Sequence, residues 1–223
     1  MAKMTIAQCK NAVFQLLNQY SIAGTVVPLS YNDQADDNNR MLNLINDAQM
    51  TIATTSRPIE AFYTIDVPEK PIRERTKELE YIMPDNFIYA LGIYFKPTFE
   101  DDDRWHRMPE RTIDMDGYKW MSHRTLLIPD RPAGVWRIEY ARYPQRYDAT
   151  TSEDTVLDNE PDTHEAIPYY VASMIYIDEN PYAYASLHNV WETKLTRLGY
   201  KPAHATSTRV TDVYGFDYFR GTW

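Results

Sequence analysis

Residues 134–198 read GVWRIEYARYPQRYDATTSEDTVLDNEPDTHEAIPYYVASMIYIDENPYAYASLHNVWETKLTRL. At the start of this stretch Trp136, Ile138 and Tyr140 alternate with neighbours of different polarity, which is the period of two expected of a half-buried β-strand. The sequence then becomes acidic, and apolar residues afterwards return at helical spacing. One continuous stretch therefore passes from a strand to helices, which indicates a fold of the α+β class.

Two helices are predicted in the second half of the stretch. Asp162 and Glu165 have the spacing of a capping pair that opens the segment HEAIPYYVASMIYI. Pro168 lies inside this pattern, so it either kinks the helix or marks its true first turn. Asn180 followed by Pro181 predicts the N-cap and first residue of another helix, because proline has no N–H to lose at that position.

The N-terminal part of the chain also predicts two helices. Thr5 and Gln8 have the spacing of a capping box, and apolar residues follow at helical intervals. The polar residues 30–39 predict a loop. Asp36 or Asp37 is then the expected cap of a second helix.

Between Pro58 and Pro144 the sequence changes to short β-rich runs separated by proline. Nine of the 14 prolines lie here, and the second helix is expected to end before Pro58. The runs include IEAFYTIDV, FIYALGIYF and RTLLIP, and Asp116-Gly117 is a hairpin signal because both turn residues must tolerate positive φ. This spacing predicts a small antiparallel sheet or sandwich.

The predicted fold is thus α+β, mainly a helical bundle of N- and C-terminal helices with an inserted antiparallel β-sheet or sandwich and an extended C-terminal tail. The expected parts are N-terminal bundle helices over 1–58, an inserted β region over 59–148, C-terminal bundle helices over 149–199 and an aromatic tail over 200–223. No internal repeat is apparent.

The composition excludes several classes of protein. The chain has 23 Lys and Arg against 32 Asp and Glu, a net charge of −9, which argues against non-specific binding to nucleic acid or anionic membranes. The single cysteine, Cys9, forms no intramolecular disulfide. The longest strongly apolar run, 169–177, is too short to cross a bilayer, and the N-terminus lacks the apolar stretch of a signal peptide.

No motif in the sequence carries recognisable chemistry. His188 lies one turn before Glu192, a spacing that predicts a polar pair on a helix surface rather than a metal site. The acidic run 100–103 lacks the alternating ligands of a calcium loop. Cys9 is expected to be a small buried side chain. With no glycine-rich phosphate loop and no nucleophile elbow, the sequence predicts neither an enzyme nor a bound cofactor or metal.

The C-terminal residues hold an unusual concentration of large aromatic side chains. Such side chains either pack on the chain's own core or dock on a neighbouring subunit or partner. Interfaces favour aromatic residues and arginine, so these residues are the candidate partner-binding site. They are Arg209, Tyr214, Phe216, Tyr218, Phe219, Arg220 and Trp223.

The arrangement of elements resembles the head-to-tail adaptor, or connector, proteins of tailed bacteriophages. The resemblance covers about residues 5–198. It begins with an N-terminal helix, an acidic loop and the helix NNRMLNLINDAQMTIAT, and it continues through the strands PIEAFYTIDV and MPDNFIYALGIYF. Residues 134–198 are its strongest part, with a strand, an acidic linker, a Tyr-rich helix and a final helix rich in Trp and Leu.

This resemblance implies a non-enzymatic virion protein of the phage neck, present in the host cytoplasm during assembly. Such proteins form a dodecameric ring below the portal, extend the DNA channel and join it to a stopper or tail. Their C-terminal segments reach into the portal or a neighbour, which is a role for the aromatic tail here. An acidic ring would let genomic DNA pass without holding it, provided that the acids face the lumen.

Two other functions agree with the sequence. The tail-tube or nozzle proteins of short-tailed phages share parts of the same pattern of elements. A carbohydrate-binding module is the alternative from a different class, because exposed tryptophans on a β layer stack against sugars. Its candidate residues, which are otherwise core or interface residues, are Trp105, Trp120 and Trp136.

Overall fold

The computed structural model confirms a mixed α+β fold. Within the residues that it describes, the chain forms four helices and two antiparallel sheets. None of the described helices is long and apolar enough to cross a membrane. The described residues are 3–20, 35–68, 77–98, 104–111, 117–130, 132–178 and 180–198.

The bounds of the four helices are α1 Ile6–Tyr20, α2 Ala35–Thr55, α3 Ile167–Ile175 and α4 Pro181–Leu198. Helices α1 and α4 begin at local caps that the sequence predicts. At α1 the predicted capping box is confirmed, because the Thr5 amide donates to Gln8 Oε1 at 3.0 Å and the Gln8 amide donates to Thr5 Oγ1 at 3.3 Å. At α4 the predicted cap is confirmed as well, since Asn180 Oδ1 accepts the amide of Ala183 at 3.1 Å.

Two predictions about helix starts were wrong. Helix α2 already includes residues 35–39, which the polar pattern assigned to a loop, so Asp36 and Asp37 lie inside its first turn and are not its N-cap. Helix α3 begins at Ile167 with Ala166 as N-cap and no side-chain cap, so Asp162 and Glu165 do not cap it. Successive turns occupy residues 161–166 instead.

Pro168 lies in the first turn of α3, which was one of its two predicted roles. An N–H in the first turn would have no acceptor within the helix, so proline loses no hydrogen bond at this position. Asp162 is bound elsewhere, because its carboxylate accepts a hydrogen bond from the guanidinium of Arg57, just beyond α2. A contact between residues distant in sequence has therefore replaced the local cap.

Seven strands form the two sheets. Their bounds are β1 Ile59–Val67, β2 Glu78–Ile82, β3 Phe87–Pro97, β4 His106–Arg107, β5 Lys119–Trp120, β6 Thr125–Pro129 and β7 Gly134–Arg142. The four-stranded sheet has the order β1-β7-β3-β4 and the three-stranded sheet the order β2-β6-β5. The predicted alternation in β7 is confirmed, since Trp136, Ile138 and Tyr140 are buried and the residues between them are half-buried. Asp116 of the expected hairpin turn lies outside the described residues.

One hydrophobic core contains residues of both sheets. Strand β6 contributes Leu126 and Ile128, and the four-stranded sheet contributes Trp136 and Ile138 from its centre. The rings of Trp136 and Phe95 lie 5.0 Å apart between centroids. We call the face of the four-stranded sheet that carries Trp136 and Ile138 its inner face and the opposite face its outer face.

A second core joins all four helices. Residues 143–166, which we call the return segment, connect β7 to α3 and contribute Tyr147 and Leu157 to this core. Thr5 and Val156 form an antiparallel bridge, so the return segment runs beside the start of α1. Tyr147 belongs to the helical core although the sequence placed it in the inserted β region. The division of the chain at residues 58, 148 and 199 otherwise stays a prediction.

Candidate interaction surfaces

The predicted partner-binding residues are all in the C-terminal tail, which lies outside the described residues. This holds for Arg209, Tyr214, Phe216, Tyr218, Phe219, Arg220 and Trp223. The acidic run 100–103 also lies outside them.

The titratable residues that the sequence singled out occupy ordinary structural positions. Cys9 is fully buried, and burial raises the pKa of its thiol to about 12, which leaves it a neutral apolar side chain as predicted. His188 Nε2 lies 3.6 Å from Glu192 Oε1 on α4, which confirms the predicted surface pair. No group of three or more His, Cys, Asp or Glu that could hold a metal occurs among the residues that the structure describes.

The three tryptophans of the carbohydrate-binding alternative have different environments. Trp136 is 1% exposed in the sheet core, so it is unavailable for stacking on a sugar. Trp120 packs on Phe87 and Tyr118, with ring centroids 5.5 and 6.3 Å away. Only Trp105 among them is classed as exposed, at 39%. The prediction that these tryptophans are core residues is thus confirmed for Trp136. The three side chains do not form a flat platform for a sugar.

The outer face of the four-stranded sheet carries a cluster that the sequence analysis missed. Strand pairing places Arg137 of β7 opposite Tyr94 of β3, and Tyr94 opposite Arg107 of β4. Directly paired residues project from the same side of a sheet, so these three side chains share the outer face. Gly92 makes room for the Tyr94 ring, because a Cβ at residue 92 would lie 2.8 Å from Tyr94 Cε2.

Arg137 is held between two exposed aromatic rings on this face. Its guanidinium carbon lies 5.0 Å from the centroid of Phe62 and 6.0 Å from that of Trp105, distances typical of cation–π contacts. Glu139, two residues along the strand, lies 3.2 Å from the Arg137 guanidinium. Phe62 is 65% exposed. We call Phe62, Tyr94, Trp105, Arg107 and Arg137 the outer sheet patch.

The second exposed feature is the loop 148–154 at the start of the return segment. Asp148 Oδ1 accepts hydrogen bonds from the amide and hydroxyl of Thr150 at 2.9 and 2.6 Å and from the hydroxyl of Thr151 at 3.1 Å. The Thr150 hydroxyl, followed by these other donors, lowers the pKa of Asp148. At the other end of the loop Glu153 forms a 2.7 Å ion pair with the buried Lys10. The loop is therefore fixed in shape and carries negative charge, with Asp154 exposed.

The net charge of the chain is concentrated in its C-terminal helical part. Residues 147–198 contain two Lys and Arg against ten Asp and Glu, and 2 − 10 = −8 of the chain's −9. Residues 147–193 contain no Lys or Arg at all. Seven of these ten acidic residues lie in the return segment, whereas α3 has no charged residue and α4 has one Glu against one Lys and one Arg. Residues 59–146, with 14 Lys and Arg against 16 Asp and Glu, are close to neutral.

Ion pairs connect the return segment to the end of β7 and to the residues that follow α2. Arg142 at the end of β7 donates two hydrogen bonds to Asp158, of 2.6 and 2.8 Å, and the Gln145 amide donates a third at 2.7 Å. These bonds from Arg142 raise the pKa of the guanidinium and lower the pKa of the Asp158 carboxyl. Arg57, which follows α2, donates one hydrogen bond to Asp162 at 2.5 Å and lies 3.5 Å from Glu160.

His164 is a buried polar residue that ties the N-terminus to the return segment. The ring accepts the Met4 amide on Nδ1 at 3.0 Å, so Nε2 carries the proton and donates to the Asn159 carbonyl oxygen at 2.8 Å. Burial lowers the pKa of His164. Both ring nitrogens are used, so the residue acts as a neutral bridge between chain segments and not as a ligand.

Sequence reasoning missed the outer sheet patch because the patch depends on strand register. The alternation in β1 and β7 places Phe62 and Arg137 on one face of each strand separately, and only the pairing brings them together. The uneven distribution of charge was readable from the sequence, by counting Lys and Arg over residues 147–193. Comparison with models of known protein families and with curated proteins found none that matches the chain.

Proposed function

We propose that this protein is a virion structural protein, the head-to-tail adaptor of a tailed bacteriophage, and not an enzyme. In this proposal a ring of copies, a dodecamer as in the proteins that it resembles, lies below the portal, extends the DNA channel and joins the capsid vertex to a stopper or tail. No cofactor takes part. The helices would form the bundle of each copy, the two sheets a packed sandwich, and the tail an extended arm.

The observation that carries the proposal is the packing of the return segment. Residues 134–198 are where the resemblance to adaptors is strongest, and in the structure this stretch links β7 to the helices and packs along α1 through the bridge between Thr5 and Val156. The helices from both ends of the chain thereby share one core. A shared core of this kind holds the surfaces of the protein in fixed positions. In this proposal those surfaces, and not an active site, carry the function.

The charge distribution supports a role beside DNA. The C-terminal helical part holds −8 of the net charge, so a ring whose lumen is lined by this part would repel the phosphate backbone and let genomic DNA slide through. A resolved ring with a basic lumen would contradict this element of the proposal.

The partner-binding residues of the tail provide the direct test. We expect the full chain to bind portal rings purified from the same phage and to appear as an added ring in electron micrographs. Deletion of residues 201–223 should abolish this docking while circular dichroism of the truncated chain stays native. A second variant keeps the full length but has all seven tail residues replaced by alanine. It removes the aromatic and arginine side chains without shortening the chain, so it should lose docking as well.

The outcomes separate the possible failures. Retained docking by both altered chains would remove the tail from the mechanism. A full chain that binds no portal ring, but joins a preassembled adaptor ring from below, would instead indicate a tail-tube or nozzle protein. Specific binding on a glycan array, lost in Trp105→Ala, would favour the carbohydrate-binding alternative, for which the exposed Trp105 is the supporting observation.

A further inference from the structure

We propose that the outer sheet patch of one copy binds the acidic loop 148–154 of a neighbouring copy, so that these two surfaces form the contact between subunits. This inference rests on the ring proposed above and names the surfaces that build it. The occupant of the patch is thus a second copy of this chain.

The patch has the chemistry of an interface centre. Exposed Phe62 and Trp105 flank Arg137, and interfaces are enriched in aromatic residues and arginine. Because the rings already hold the guanidinium, little side-chain freedom remains to be lost on binding. Arg107 lies exposed in the same cross-strand row and adds a positive charge. Glu60 and Asp66 lie on the same face of β1 as Phe62, and Glu139 offsets the charge of Arg137. The positive charge that the patch offers to a partner therefore comes mainly from Arg107.

The loop is the complementary surface. Its acidic side chains lie in the stretch without Lys or Arg, and Asp148 and Glu153 are fixed by the hydrogen bonds and ion pair described above. Asp154 and Val156 are both exposed and offer a carboxylate and an apolar side chain to a partner. Both surfaces are therefore ordered before they meet, and their charges are opposite.

The two surfaces are placed to bind between chains. Arg137 lies five residues along β7 from Arg142, where the sheet is tied to the return segment, so it is roughly 16 Å away at ~3.3 Å per residue. The loop instead begins directly after Tyr147, a residue of the helical core, and its Glu153 contacts Lys10 of α1. Different surfaces on the two sides of a contact make a heterologous interface, which closes into a ring when the rotation between copies permits.

The test uses reversal of charge and its complementation. In one variant Arg107→Glu and Arg137→Glu make the patch acidic. In another, Ala149→Lys and Asp154→Lys cancel the negative charge of the loop without touching Asp148 or Glu153. Sedimentation velocity at low salt over a range of concentrations measures association. We expect each variant alone to associate at least about tenfold more weakly than the natural chain, and the equimolar mixture to recover association.

Control variants test whether a change of charge elsewhere on the surface has the same effect. Lys119→Glu on β5 and Glu80→Lys on β2 make comparable charge changes on exposed positions of the other sheet and should leave association unchanged. If Arg137→Glu disturbs folding, as judged by thermal melting, Arg107→Glu with Phe62→Ala provides the second patch variant. That variant should weaken association, and it should not recover fully in the mixture because Phe62 is missing.

Several outcomes overturn the inference. The inference is wrong if the natural chain stays monomeric at every concentration. It is also wrong if the charge variants associate as well as the natural chain, or if their mixture does not recover association. Binding to portal rings tests the adaptor proposal independently of these surfaces. A chain that associates through these surfaces but ignores portal rings would refute the adaptor role alone. Portal-bound rings whose neighbouring copies touch through other surfaces would refute this inference alone.

Discussion

Arg142, the last residue of β7, holds Asp158 of the return segment through two hydrogen bonds of 2.6 and 2.8 Å. Their side chains are only 23% and 19% exposed, so the pair is partly shielded from water. It connects the four-stranded sheet to the segment that closes the helical core. The relative position of the surfaces on the two parts therefore depends on this contact.

Replacing Asp158 by asparagine should destabilise the protein by about 1–3 kcal/mol, because a two-pronged charged hydrogen bond is lost in a partly buried site. Urea denaturation followed by circular dichroism measures this. Asp154→Asn, an exposed position on the same segment, is the matched control and should change stability by no more than about 0.5 kcal/mol. Equal effects of the two changes would show that the pair contributes nothing of its own.

The same pair predicts a pH dependence. The pKa of Asp158 is lower in the folded protein than in the unfolded chain, so its contribution is complete above the unfolded value of ~3.9 and is lost as the pH falls through the lower folded value. The difference in stability between the natural chain and Asp158→Asn should therefore shrink below about pH 4. A difference that stays constant down to the acid transition would contradict the assignment.

His164 predicts a separate loss of stability in mildly acidic solution. Its folded pKa lies below the unfolded value of ~6.5 because burial disfavours the charged ring, so stability is complete above pH ~6.5 and falls as the pH drops toward the folded value. Asp162 opposes this shift and Lys3 adds to it. His164→Gln should lower stability at pH 8 and should flatten the slope between pH ~6.5 and the folded pKa.

The control for His164 is His188→Gln on the surface of α4. It should change the stability at pH 8 and the slope much less than His164→Gln does, because His188 lies on the surface of α4, where it pairs with Glu192 and stacks on Tyr184. Denaturation curves at a series of pH values measure both variants. If His188→Gln removes the slope instead, the buried ring is not its source.

The tryptophans should separate stability from association. Trp136→Ala removes a fully buried ring from the sheet core and should destabilise by about 3–5 kcal/mol. Trp105→Ala removes an exposed ring and should change stability by no more than about 0.5 kcal/mol, while weakening association between copies. Thermal melting and sedimentation, measured on the same samples, give the two quantities.

The cap of α4 is a local test of helix stability. Asn180→Ala should cost about 1 kcal/mol, because the Ala183 amide loses its acceptor. Asn189→Ala, an exposed position within the same helix, should be neutral or slightly stabilising since alanine has the higher helix propensity. A similar loss for both replacements would mean that the effect arises from the change of side chain and not from the cap.

Local rules predicted much of the fold, and long-range contacts explain where they failed. The capping box at Thr5, the cap at Asn180 and the alternation of β7 all depend on near neighbours and were predicted correctly. Asp162 was misassigned because Arg57, 105 residues away in sequence, binds its carboxylate. The outer sheet patch needed the register of strands that the sequence alone did not supply, and the residues of the aromatic tail remain predictions.

The bridge between Thr5 and Val156 has a consequence for synthesis on the ribosome. These residues lie about 150 positions apart, so at 5–20 residues per second helix α1 waits on the order of 10–30 s before its partner segment exists. During that interval the core around α1 lacks the return segment, α3 and α4, and the sheets are complete first. Protease digestion of nascent chains stalled at successive lengths should therefore show protection of residues 59–142 before protection of α1.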